Sequence, residues 1–118
     1  MTMKSYRLND VCVVELDPDD PATAERIAAT AKAIEGVLNA NKRALTRTKD
    51  PRKLLEASKR VDGEVREMLD DVFGKSVCTP LFGSTSVLAL ADGTPLWANL
   101  LAAVMEEIEN GRTPARAE

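Results

Sequence analysis

The chain has 118 residues, 44% apolar and 30% charged, with a net charge of −3. That size fits one small domain, and the composition excludes global disorder. The acidic balance gives no overall attraction to phosphate backbones, which removes nucleic acid from the expected partners.

The first element is a β-hairpin over 5–16: Tyr6-Arg7-Leu8, the turn pair Asn9-Asp10, then Val11 to Leu16. Asn and Asp tolerate the positive φ of tight hairpin turns. A two-residue loop opposes Leu8 to Val11 and Tyr6 to Val13. Tyr6, Leu8, Val11 and Val13 are then expected on one side, with Arg7, Cys12 and Val14 on the other. A lone hairpin is marginal in water, so it must lean on helices or offer its edge to another chain.

Asp17-Pro18-Asp19-Asp20-Pro21 stops the strand. Asp20 supplies an N-cap oxygen and Pro21 a pre-set φ for a helix over about 21–45. Asp50-Pro51 and Thr94-Pro95 repeat the device. The first helix carries Ala24, Ile27, Ala31, Ile34, Leu38 and Leu45 on one face. Asn41 interrupts that row, either as an exposed amide near a fraying end or as a polar group fixing register.

The second helix, 51–73, repeats the pattern with Leu54, Ser58, Val61, Val65, Met68 and Val72, widened by Leu55, Leu69 and Phe73. The short link predicts an antiparallel helical hairpin. Lys42, Arg43, Arg47, Lys49, Arg52 and Lys53 surround a single Asp50 there, either to dock an acidic partner or as a solvated tip. Asp62, Glu64, Glu67, Asp70 and Asp71 read as a solvated acidic face. Gly36 and Gly63 are weak points inside the two helices.

Phe73-Gly74 ends the second helix, glycine being the usual left-handed cap. Gly74-Lys75-Ser76 is not a phosphate loop, because Leu69 stands where that motif needs glycine. Val87 to Leu90 is either a brief strand or a buried turn. The last helix, 95–110, is the most hydrophobic, with Leu96, Trp97, Leu100, Leu101, Val104, Met105 and Ile108 on its apolar side. It is either a central core helix or a surface for another protein. Residues 1–111 form the expected single domain, and 112–118 a flexible tail. The fold class is α+β, mainly α: an N-terminal hairpin, two antiparallel helices and a C-terminal hydrophobic helix.

Catalytic chemistry has few candidates. The chain has no histidine, and Cys12 and Cys78 have no neighbours that activate a thiol. Two isolated thiols do not make a metal site and are expected as buried free cysteines. With 3% aromatic residues, the core favours helix packing over a cavity for a flat cofactor. No cofactor, metal or catalytic residue is expected. Neither a stretch of about 18 apolar residues nor a leader-like start is present, so a cytoplasmic, membrane-free protein is expected.

The run Leu69-Asp70-Asp71-Val72-Phe73-Gly74, then Cys78, Leu81-Phe82-Gly83, Asp92-Gly93 and a closing apolar helix, resembles small tail assembly chaperones of bacteriophages and prophages of Gram-positive bacteria. The resemblance implies a non-enzymatic, oligomeric protein of the bacterial host cytoplasm that binds the tape-measure protein. It implies structural roles for Phe73, Gly74, Phe82, Gly83 and Gly93. Leu96, Trp97, Leu100, Leu101 and Val104 are the expected protein-binding face. The alternative is a structural tail component or a bacterial helical adaptor.

Overall fold

The computed structural model describes residues 3–111, and the tail expected at 112–118 lies outside them. The elements run β1 (Lys4–Leu8), β2 (Cys12–Leu16), α1 (Pro21–Ala40), α2 (Lys42–Thr46), α3 (Pro51–Phe73), α4 (Cys78–Phe82), β3 (Leu90–Ala91), β4 (Thr94–Pro95) and α5 (Leu96–Gly111). The fold is thus α+β and mainly helical, as the sequence predicts.

Two Asp-Pro starts set its frame. The carboxylates of Asp20 and Asp50 accept from the amides of Ala22 and Arg52, at 2.9 and 3.0 Å. Pro21 and Pro51 occupy the first helical turn, where a missing N–H costs nothing. The two long helices run antiparallel: Arg26, early in α1, donates to the carbonyl of Val72 at 2.8 Å. At the other end Arg60 donates to Asn41 at 2.9 Å.

Asn41 explains why α1 stops short of the predicted 45. Its side-chain amide donates to the Val37 carbonyl at 2.8 Å, competing with the backbone for helix acceptors. Its φ of −105° and ψ of 10° then leave the helix, and α2 restarts at Lys42. The half-buried Asn41 is therefore a joint tied to α3, and not a fraying end.

The hairpin differs in register from the expectation. Asn9 and Asp10 take positive φ, 49° and 58°, as their residue types suggest. The ladder, however, pairs Leu8 with Cys12 and Tyr6 with Val14, so the loop holds three residues. A one-residue shift moves every β2 side chain to the opposite face. Cys12, Val14 and Leu16 join Tyr6 and Leu8 in the core, while Val11 and Val13 are 57% and 39% exposed. The reason lies further along the strand: turning Val11 and Val13 inward would have buried Glu15 with them.

The third Asp-Pro-like start is also corrected. Thr94 and Pro95 pair with Ala91 and Leu90 around the Asp92-Gly93 turn, and α5 begins at Leu96. Its first amides donate to backbone carbonyls, Leu96 to Ala89 at 2.9 Å and Trp97 to Val87 at 3.1 Å. Only Leu90–Ala91 of the apolar run becomes strand; Val87 is fully buried.

The core fills the angle between α1, α3, α5 and the hairpin. Ile34, Val61, Val65, Leu69, Val104, Ile108 and Val14 are all at 0% exposure. The molecule is nevertheless long, 60 × 26 × 25 Å, with a radius of gyration of 16.1 Å against about 13.5 Å for a compact domain of this length. The helical hairpin projects as an arm with α2 at its tip.

Gly63 lies on the outer side of α3, and an added Cβ would meet nothing within 4 Å. Gly63→Ala is expected to stabilise the fold by about 1 kcal/mol, raising the thermal midpoint by about 4 °C. An unchanged or lower midpoint in a circular dichroism melt would contradict this account of the position.

Candidate functional site

The connection from α3 to α5 is held by a row of polar side chains, Asp62, Arg66 and Asp70, at helical spacing on one side of α3. Asp70 accepts from the amides of Val77 and Cys78 at 2.9 and 3.0 Å. Asp62 accepts from the Val87 amide at 2.8 Å and from Arg66 Nε at 3.1 Å. Arg66 donates in turn to the carbonyls of Gly83 and Thr85, at 2.9 and 2.6 Å. The acidic stretch is therefore not a uniformly solvated face. Asp62 and Asp70 anchor the connection, while Glu64, Glu67 and Asp71 remain exposed. Lys75 Nζ donates to the Val13 carbonyl at 2.7 Å and ties the same connection to the hairpin.

Chain reversal is made where the sequence offers glycine. Gly74, Gly83 and Gly93 take φ of 68°, 57° and 81°, a region costly for a side chain with Cβ. Phe73 is buried and Phe82 half-buried. This fixes α4 against the body and brings it beside α5.

The open helix face expected on α5 is instead mostly interior. Trp97, Leu100, Leu101 and Val104 are 6%, 7%, 4% and 0% exposed, because the hairpin, α1 and the connection all pack on that side. Leu96 is half-buried. What remains accessible is a groove of about 400 Å³ between the hairpin turn, α4 and α5. Leu8, Leu81, Phe82, Leu96 and Leu100 line it as apolar residues. Arg7 and Asn9 stand on the hairpin side, and Asn99, Ala103, Glu106 and Glu107 on α5. Of the five predicted binding residues, the half-buried Leu96 and the buried Leu100 line this groove, and Trp97, Leu101 and Val104 do not.

On the hairpin, the Tyr6 hydroxyl is buried with no hydrogen-bond partner among the described residues. Burial, then the carboxylates of Glu107, Asp19 and Asp17, push its pKa above the ordinary tyrosine value. A larger depression of about 650 Å³ is lined by Glu67, Met68, Asp70, Asp71, Gly74 and Lys75. It offers little apolar floor, and Asp70 is already engaged with the connection.

Sequence reasoning did not place Leu81, Ala103 or the Arg7 and Glu106 rims in a site. Their only common signal is position: the end of a short helix, one edge of a long helix and a hairpin turn, which only the tertiary fold brings together.

At the arm tip, Lys42, Arg43, Arg47, Lys49, Arg52 and Lys53 form no ion pair among the described residues. Leu54 and Leu55 beside them are 37% and 55% exposed. Of the row predicted on α3, Leu54 is therefore left uncovered, Ser58 is half-buried and Val61 is the first member fully buried.

Cys12 and Cys78 are free and buried. Burial, then the adjacent Asp70 carboxylate, push the Cys78 thiol from 9.0 up to about 12. A thiol held neutral contributes stability that is complete below pH 9.0 and is lost as pH rises towards about 12, because only the unfolded chain ionises in that window. Native Cys78 is accordingly expected to resist iodoacetamide at mildly alkaline pH and to react fully in denaturant. Rapid native labelling, read by mass spectrometry, would contradict this.

Among the described residues no group of three or more His, Cys, Asp or Glu side chains is placed to hold a metal ion. No described helix is long and apolar enough to cross a membrane. Compared with protein families, curated proteins and solved structures, the chain matches none.

Proposed function

We propose that this chain is a non-catalytic chaperone whose groove takes the apolar face of a helical segment from another protein. The groove carries the reading: an apolar floor of Leu8, Leu81, Phe82, Leu96 and Leu100 between polar rims. That is the layout in which an amphipathic helix is held, with buried side chains supplying affinity and the rims setting orientation. Glu106 and Glu107 favour a client with basic residues beside its apolar stripe.

The resemblance of the run from Leu69 to Gly93 and the closing helix to tail assembly chaperones supports a more specific client. It is the tape-measure protein, bound in the cytoplasm of a bacterial host before the tail tube closes around it. The groove would hide part of that long helical client from aggregation.

Co-expression with a tape-measure protein followed by affinity purification tests the reading. The two are expected to copurify, and Ala103→Arg, at an exposed position on the groove wall, is expected to weaken binding at least about tenfold, or roughly 1.4 kcal/mol. Its thermal midpoint should stay unchanged. Undiminished binding by a folded Ala103→Arg would remove the groove from the proposal. The cationic arm tip favours a second reading, a structural tail component or adaptor; recovery of the chain in finished particles selects it.

A further inference from the structure

The arm tip and the groove are complementary to each other. Residues 42–53 carry six cations and one carboxylate, while the whole chain carries −3, which leaves a net −8 on the rest. The tip cations have no partner carboxylate in their own chain among the described residues. Leu54 and Leu55, on the same turn as Arg52 and Lys53, are left uncovered at 37% and 55% exposure. The groove offers the reverse pairing, an apolar floor next to Glu106 and Glu107. Its one cation, Arg7, already faces Asp10 at 3.6 Å.

A tip cannot reach the groove of its own chain. No groove residue lies on α1, α2 or α3, and the Asn41–Arg60 hydrogen bond together with the packed α1 and α3 holds the arm pointing away. The partner must come from outside, and this sequence already contains one that fits.

We infer that the arm tip of one copy docks in the groove of a second copy, leucines 54 and 55 on the apolar floor and Arg52 and Lys53 against Glu106 and Glu107. Such a contact joins two different surfaces, so each added copy presents a fresh tip and a fresh groove and the assembly is open-ended. A contact built from one helical turn is small, so association is weak and depends on concentration. It depends on salt as well, because exposed charge pairs are screened once the Debye length falls to about 3 Å in molar salt. The inference rests on the groove being a docking surface, as in the proposed function, and adds a regulator of it: copies cover one another's grooves until a client displaces them.

Sedimentation velocity on the full chain tests it. The weight-average mass is expected to climb above the monomer with concentration at low ionic strength and to return to the monomer in molar salt. Arg52→Glu with Lys53→Glu, and separately Glu106→Lys with Glu107→Lys, should each weaken association at least about tenfold, with unchanged melting curves since all four positions are exposed. These changes reverse the charge pairing on one side only. Mixed in equal amounts, the two variants offer the intact tip of one to the intact groove of the other and the reversed tip to the reversed groove, so the mixture should associate and grow with the two chains alternating. All four substitutions in one chain should restore growth. A wild-type chain that stays monomeric at every concentration overturns the inference, as does association indifferent to the substitutions or a mixture that stays monomeric. The tip variant keeps its groove, so it should still bind client. A wild-type chain that stays monomeric yet binds client fails here alone, whereas one that self-associates through tip and groove but binds no client fails the proposed function alone.

Discussion

Replacing Leu101 by glutamate is expected to leave the chain without a cooperative thermal transition. Leu101 is 4% exposed, on the side of α5 that carries the fully buried Val104 and Ile108. Loss of the leucine alone costs about 2–5 kcal/mol, and a carboxylate placed there without a cationic partner adds several more. The total rivals the roughly 5–15 kcal/mol that stabilises a whole domain. Circular dichroism and a thermal scan check it. A folded Leu101→Glu that had merely lost a binding partner would restore the open helix face that the sequence suggested. Ala103→Arg, two residues on and exposed, provides the contrast, because a charge there stays in water.

The second large effect is expected at Asp70. Its carboxylate is the acceptor for two amides, those of Val77 and Cys78, in residues 0% and 1% exposed. Asp70→Ala strands both, at about 1–3 kcal/mol each, and the thermal midpoint should fall by roughly 10 °C or more. Hydrogen exchange should show protection lost at the Val77 and Cys78 amides ahead of the helices. The Cys78 thiol should also become easier to ionise, because part of its elevation comes from the Asp70 charge. Asp70→Asn, which keeps one acceptor oxygen, should lose less. Unchanged protection in the alanine variant would mean that the connection is held by its apolar residues alone.

Elements whose physics is local were legible. Asp20-Pro21 and Asp50-Pro51 open helices where a capping oxygen precedes a fixed φ, and the Ile27–Ile34 and Val61–Leu69 rows face each other as their periodicity predicts. The hairpin was legible in kind but not in register. Asn9-Asp10 suits loops of two or three residues, and the deciding feature was Glu15, which the alternate face would have buried. Thr94-Pro95 failed as a helix start because carbonyls of Val87 and Ala89 met the first amides of α5. Asp62 and Asp70 show the same limit: a charged row four residues apart looks solvated until a connection folds over it. For the groove, Leu96 and Leu100 were visible as apolar positions, but nothing in the chain order said that α4 and the hairpin turn would leave them a shared opening.

The projecting hairpin has a mechanical consequence. The α1 helix spans about 30 Å, so a tilt of roughly 10° at its root would swing the far end by about 5 Å. The Arg26–Val72 hydrogen bond at the root and the Asn41–Arg60 bond near the end thus govern different things. The first sets where the lever points; the second keeps its end in one piece. Weakening the root should widen the volume swept by the far end without unfolding it, a change that distance measurements between spin labels at the two extremities can read directly.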